Sequence, residues 1–485
     1  MNSRFARFAA ALAVASLVAL PLFAAARGSA DFTRFVAVGD SYGAGFESGA
    51  LELNHQQFSW PAIIAKQVGL TLCPPTASAT DNCFAQPLIT FPGLGSSNEL
   101  VLNDIINYPP SITPAQGTAV PLMTTFGRPY NNLAVPGYTV GATLALTGKE
   151  PTSGLGQVIL RGLGTEVDQA ISLHPTFIGV WIGGNDFLGS VTNGTSAGLT
   201  SVADFTTQYN AMLDKLIAGA PSAGMVVGTL PTNPAGVPFL STVSRFLINP
   251  ATKTPVVVGG QPVVLTYLAD DGTVQPIPAD AFVTLGASSL IGTGFGIPAA
   301  LAPAFPQLPN AGKPLPGAVV LTSAEFATIK ARIADYNKVI TDAATARNIP
   351  VADITGLFDR IASTGNAGAC GGTKGICVGP FNITGDFITG GFFSLDGIHP
   401  TDLGYTLFAN EFIKAINKGY GTDIPLASVG TTLMSNNGAL FATLSGMPVN
   451  ANTEWVVSDE AASSMMRMLT LPAPSNTGRH RATTH

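Results

Sequence analysis

The run Phe177-Ile178-Gly179-Val180-Trp181-Ile182 contains no polar side chain. Successive residues of a strand point to opposite faces, so a strand built from this run must be covered on both, as in a parallel sheet sandwiched between helices. Further apolar runs occur at Phe35-Val36-Ala37-Val38, at 224–230 and at 349–354. Helix-patterned stretches separate them. Ile63, Ile64 and Val68 can share a face over 59–68, residues 156–173 read as one helix, and Phe205, Tyr209, Met212 and Leu216 fall at helical steps over 203–218. Thr322-Ser323-Ala324-Glu325 has capping-box spacing ahead of Phe326, Ile329, Ile333, Tyr336 and Ile340, and a last helix is expected over 402–418. This alternation predicts an α/β fold, a three-layer α/β/α sandwich with a mostly parallel central sheet. No internal repeat is present.

Two irregular, Pro-rich stretches interrupt the pattern, at about 73–126 and 232–316, and read as loop or cap insertions. Residues 1–30 carry Arg4 and Arg7, an apolar stretch from Phe8 to Phe23 and then small residues, the pattern of a cleaved secretory signal peptide. The apolar part is short of the roughly 20 residues of a membrane span, so no stable span is expected after cleavage. The main domain is expected over 31–420. A carboxyl-terminal extension at 421–471 is expected to pack on it, and 472–485 to be a disordered tail. The predicted location is secreted or periplasmic.

Cysteine usage agrees with that location. Cys73 with Cys83, and Cys370 with Cys377, form two close pairs that read as local disulfides; zinc is the competing reading, though the spacings are unlike C-x2-C knuckles. Charged residues make up 11% of the chain, the formal net charge is −6, and no basic run is present, which excludes a nucleic-acid surface. Nothing in the pattern requires a metal or an organic cofactor. It does not set an oligomeric state.

The first apolar run leads straight into Gly39-Asp40-Ser41-Tyr42. A serine at the carboxyl end of a strand lies where open parallel sheets build their sites, and reads either as a helix cap or as a nucleophile. Of five histidines, His55 precedes a helix, His174 ends one, and His480 and His485 sit in the polar tail. His399 follows Asp396 by three residues in a Gly- and Pro-bounded turn, so a carboxylate can orient the imidazole from one short loop. Asn131 to Gly137, which contains Asn132-Leu133-Ala134-Val135-Pro136-Gly137, reads as a short strand and turn, and Gly183-Gly184-Asn185-Asp186 follows the Phe177 strand. Both can present amide donors at the sheet's crevice, or be ordinary turns. Gly194-Thr195-Ser196-Ala197-Gly198 matches a nucleophile elbow but lacks the apolar strand an elbow needs.

Taken in order, these four segments (Gly39 to Tyr42, Asn132 to Gly137, Gly183 to Asp186 and Asp396 to His399) resemble the SGNH hydrolases, the GDSL esterase/lipase family, over residues 34 to about 418 with the two insertions outside it. The resemblance implies a secreted serine ester hydrolase acting on a small-molecule or lipid ester through an acyl-enzyme. Ser41 would be the nucleophile, His399 the general base and then acid, and Asp396 its orienting partner. The Ser41 and Gly137 backbone amides and the Asn185 side chain would form the oxyanion hole. Tyr42 stands where the family name has leucine and is expected to affect fit rather than mechanism, while Asp40 and Asp186 are expected to support their loops. A non-catalytic secreted binding or adhesion protein on the same scaffold is the alternative. The insertions carry Phe84, Leu88, Ile89, Phe91 and Leu94, and Phe239, Leu240, Phe295 and Phe305, which read either as an apolar cleft for acyl chains or, as such residues more often do, as the insertions' own cores.

Overall fold

The computed structural model describes residues 26–104, 111–362, 375–378 and 381–436. Four strands, β1 (Phe35–Gly39), β2 (Phe177–Trp181), β3 (Gly224–Gly228) and β4 (Val351–Ala352), form one parallel sheet in that spatial order. Phe35 pairs with Phe177, Phe177 with Gly224, and Val227 with Val351. The segment after Asn131 extends the sheet beyond β1 without becoming a regular strand: Leu133 N–H donates to the Ala37 carbonyl at 3.0 Å and Val135 N–H to the Gly39 carbonyl at 3.0 Å.

Strand alternation divides the interior into two apolar layers. Val36, Val38, Ile178, Val180, Met225 and Val227 pack on one side. Phe35, Ala37, Phe177, Trp181, Val226 and Ala352 pack on the other. The principal helices are α1 (Ser41–Ala44), α2 (Leu53–Gln56), α3 (Trp60–Gln67), α4 (Val140–Ala145), α5 (Gly156–Ile159), α6 (Glu166–Ser172), α7 (Asn185–Thr192), α8 (Val202–Gly219), α9 (Ser323–Ala346), α10 (Ile354–Ala362), α11 (Asp402–Tyr420) and α12 (Val429–Asn436). Helices α6, α8 and α9 cover the first face with Val167, Phe205, Met212, Ile333 and Tyr336. On the second face, α3, α10 and α11 contribute Trp60, Ile64, Leu357, Phe408 and Phe412, with Trp60 stacked on Phe412 at 4.2 Å. The result is a three-layer α/β/α arrangement.

Local chemistry explains the helix limits. Thr322 caps α9 by accepting from Glu325 N–H while Glu325 returns a bond to the Thr322 backbone, a full capping box. Ser201 caps α8 in the same sense through Asp204 N–H. The stretch 156–173 is not one helix. Arg161 and Gly162 take positive φ (54° and 71°) and Gly164 a φ of 130°, which ends α5 and makes a fresh start at Thr165, the cap of α6. Apolar periodicity across 156–173 hid that break.

Residues 247–320 hold an apolar cluster of their own around Leu265, Ile277, Ile297 and Leu315. A smaller cluster gathers Cys73, Ala85, Leu88, Met123, Phe126 and Tyr130. Cys73 and Cys83 are disulfide-bonded, Cα to Cα 5.0 Å. Of the second expected pair, Cys377 lies on the short strand Ile376–Val378, whereas Cys370 lies outside the described residues. The expected signal peptide up to residue 25, and everything from 437 onward, also lie outside them. Within 421–436, α12 packs along α11, with Val429 against the second apolar layer. Among the described residues no helix is long and apolar enough to cross a membrane.

Candidate active site

Ser41 opens α1, a single turn leaving the carboxyl end of β1. Asp40 caps that turn by accepting Tyr42 N–H on Oδ1 at 3.1 Å. Two side chains hold the turn from behind: Asn132 Nδ2 donates to the Gly43 carbonyl at 2.9 Å, and the Tyr405 hydroxyl of α11 donates to the Phe46 carbonyl at 2.5 Å. Beneath it, Gly39 N–H donates to Glu166 Oε1 of α6 at 2.5 Å. Glu166 is fully buried, and burial holds its carboxyl well above the usual range despite that bond. Asp40 is buried as well. Desolvation pushes it up to about 7, opposed by the Tyr42 amide and the nearby His399.

Asp396 and His399 come together in the loop before α11. Asp396 Oδ1 accepts the backbone N–H of Ile398 (2.9 Å) and His399 (2.8 Å), while Oδ2 accepts Gly49 N–H at 3.0 Å and lies 2.8 Å from His399 Nδ1. Burial pushes the Asp396 carboxyl up, but the His399 ring and these hydrogen bonds outweigh it and leave the group below its ordinary value. An ionised carboxylate only accepts, so an Nδ1 proton faces Asp396, and in the neutral form of the ring Nε2 carries the lone pair. His399 Nε2 is buried and has no hydrogen-bond partner. The ring is held by Phe46 at 4.6 Å and, edge-on, by Tyr42 at 5.6 Å. The Tyr42 hydroxyl donates to the Ile398 carbonyl at 3.0 Å, so the residue after the serine ties the Ser41 turn to the histidine loop.

The other two segments meet each other. Asn185, the first residue of α7, donates through Nδ2 to the Tyr138 carbonyl at 2.9 Å, next to Gly137. A primary amide has two donor hydrogens, so one remains. Gly137 has φ 86°, and no atom lies within 4 Å of where a β-carbon would sit, leaving open space beside its backbone. Asp186 accepts Val140 N–H at 3.1 Å and the Thr200 hydroxyl at 2.8 Å, fastening α7 to the start of α4.

A cleft of about 650 Å³, its open mouth included, runs along these strand ends. Asp40, Ser41, Tyr42, Gly184 and Asn185 line it together with an apolar wall of Trp181, Phe187, Leu188, Val191, Leu230, Val237, Phe239 and Ile398. Neither Gly137 nor His399 is among its lining residues. Of the insertion residues that could build an acyl cleft, only Phe239 lines it. Phe84, Leu88, Ile89 and Leu240 are core residues, Leu94, Phe295 and Phe305 pack against the clusters, and Phe91 is exposed. The rest of the wall comes from the end of β2 (Trp181), from α7 (Phe187, Leu188, Val191), from Leu230 and Val237 after β3 and from Ile398.

Sequence reasoning missed Glu166 and Tyr405, because the partner of each is a backbone atom that leaves no trace in composition. It also passed over His55, which lies within α2 and is buried among carboxylates. The Gly194 to Gly198 segment lies beyond the end of α7 and no strand feeds it.

Residues 35–412 match the family model described as GDSL-like Lipase/Acylhydrolase. The chain belongs to that family and is an ester-bond hydrolase with its central parallel-sheet fold. No curated protein matches the chain. Solved structures similar to it include an extracellular lipase from Streptomyces rimosus (13% identity, TM-score 0.31, covering 79% of this chain and 98% of that one). A phospholipase A1 from Streptomyces albidoflavus NA297 (14%, 0.30, 80% and 100%) and a Clostridium thermocellum family 3 carbohydrate esterase (11%, 0.30, 79% and 94%) are also similar.

Proposed function

We propose that the chain is a secreted serine esterase working through an acyl-enzyme on Ser41. The observation that carries this reading is the His399 ring: Nδ1 bound to an ionised Asp396, Nε2 buried and unpartnered, and the ring packed on the residue that follows Ser41. Ser41 Oγ attacks the ester carbonyl as its proton passes to His399 Nε2. Asp396 stabilises the imidazolium without taking the proton. The carbonyl oxygen becomes an oxyanion, met by the Ser41 and Gly137 amides and the spare Asn185 N–H. His399 returns the proton to the departing alkoxide, and the C–O bond breaks to leave acyl-Ser41. Water then attacks the acyl carbonyl as its proton passes to His399, the bond to Ser41 Oγ breaks, His399 returns the proton to Ser41, and the free acid leaves.

The apolar wall favours an acyl chain longer than acetyl, since each buried methylene contributes about 0.8 kcal/mol. Secretion rests on the leader pattern of residues 1–30 and on the Cys73–Cys83 disulfide, which suits an oxidising compartment. Purified enzyme assayed with a graded series of activated esters tests both parts. Ser41→Ala abolishes turnover at unchanged circular dichroism, and kcat/KM of the wild type rises from acetyl to longer chains. Full activity in Ser41→Ala contradicts the nucleophile, and a steady fall beyond acetyl contradicts the acyl wall.

A further inference from the structure

Behind the histidine loop, four carboxylates from three parts of the chain gather around one imidazole. His55 Nδ1 lies 3.0 Å from Asp402 Oδ2 and 3.4 Å from Glu47 Oε2, and His55 Nε2 lies 3.1 Å from Glu99 Oε1. Glu52 stands beside them, and all five residues are buried. Among the described residues no ion pair brings a lysine or arginine to these carboxylates. Lys66, which feels the Asp402 charge, spends its ammonium on the Gln57 carbonyl at 2.8 Å. A cluster with this excess of negative charge is costly to bury unless a cation or protons offset it.

A second observation is independent of the charge count. No N–H or O–H donor bonds to the buried Glu47 Oε2 or Asp402 Oδ1; the two carboxyl groups meet each other instead, and Glu47 Oε2 is aimed at the His55 ring. The donor atoms of Glu47, His55 and Asp402 all lie within 4.8 Å of one another. Ligand atoms about 2.0–2.1 Å from a tetrahedral zinc ion stand about 3.3 Å apart, and the two contacts at Nδ1, 3.0 and 3.4 Å, bracket that spacing. The neighbouring set of Glu52, His55 and Glu99 fits less well, because both Glu52 oxygens already accept from Asn54, at 2.7 and 3.2 Å.

The geometry points to a divalent-cation site of the zinc class formed by Glu47, His55 Nδ1 and Asp402, with Glu99 accepting the Nε2 proton of the ligating imidazole. One nitrogen and two carboxylate oxygens suit zinc and its transition-metal neighbours. A carboxylate on the far ring nitrogen fixes the tautomer and raises ligand basicity, the common arrangement around metal-bound histidine. The site is structural and has a local consequence. Ser48 N–H donates to Ser394 Oγ at 2.9 Å and Gly49 N–H to Asp396 Oδ2 at 3.0 Å, so an ion held by Glu47 braces the loop that positions Asp396.

The test is calorimetric titration of chelator-treated, full-length protein with zinc chloride near neutral pH, with calcium and magnesium chloride as separate arms, followed by melting curves. The expected result is saturable binding of one zinc ion per chain and a melting temperature raised by about 2 °C or more. Affinity falls at least about tenfold in Glu47→Gln and in Asp402→Asn. If those variants do not fold, Glu99→Gln, which removes only the outer partner of the imidazole, still weakens zinc about tenfold. Three outcomes overturn the site: no saturable zinc binding by the wild type, undiminished binding in every folded variant, or calcium or magnesium bound in preference to zinc. The first of these leaves His55 as a protonated bridge between carboxylates.

Discussion

His399 Nδ1 and Asp396 Oδ2 lie 2.8 Å apart, in a loop whose own backbone amides also point at the carboxylate. Three features therefore fix one tautomer: the ionised acid, the short contact and the packing of Phe46 and Tyr42 on the ring. Asp396→Asn offers the ring an amide that can present the wrong partner. It should lower kcat by about 10²–10⁴-fold with KM little changed, as measured on a short activated ester. A loss under twofold would show that backbone contacts alone orient His399.

Asn185 spends one amide hydrogen on the Tyr138 carbonyl, which leaves the other free in a residue that lines the same cleft as Ser41. Asn185→Ala should cost about 10²–10³-fold in kcat, the usual effect of losing one oxyanion donor. Steady-state kinetics separate this from a binding role: a rise in KM at constant kcat would place Asn185 in ground-state recognition instead.

Asp40 gives a signature in stability. Its carboxyl is raised to about 7 in the fold, chiefly by burial, against an ordinary value of 3.8. The folded state therefore binds a proton that the unfolded chain has released, so this contribution is fully present below about pH 4 and is lost as pH rises through about 7. Asp40→Asn keeps an oxygen to cap Tyr42 and removes the titration. Melting temperatures across that window should fall less steeply with pH in the variant than in the wild type; parallel curves would contradict the assignment.

Much of this fold could be read from apolar patterning, and the reasons are specific. The runs at 35–38 and 177–182 are buried on both faces, so they admit no polar residue and stand out. Asp396 and His399 are neighbours in one turn, so their contact follows from local spacing. What escaped depended on backbone conformation or on partners far apart in sequence. The break between α5 and α6 rests on the backbone angles of Arg161, Gly162 and Gly164. Glu166 acts on Gly39 from a distant helix, and His55 gathers Glu99 and Asp402 only after the chain has folded. Of the two readings of the insertions' apolar residues, the core reading holds for most of them, while Phe239 lines the cleft together with Phe187, Leu188 and Val191 of α7, whose helical pattern gave no sign of it.

Covalent labelling tests the central claim most directly. Wild-type protein treated with a fluorophosphonate probe should gain one adduct by intact mass, peptide mapping should place it on Ser41, and Ser41→Ala should gain none. An unlabelled wild type, or an adduct that persists in Ser41→Ala, would contradict Ser41 as the nucleophile.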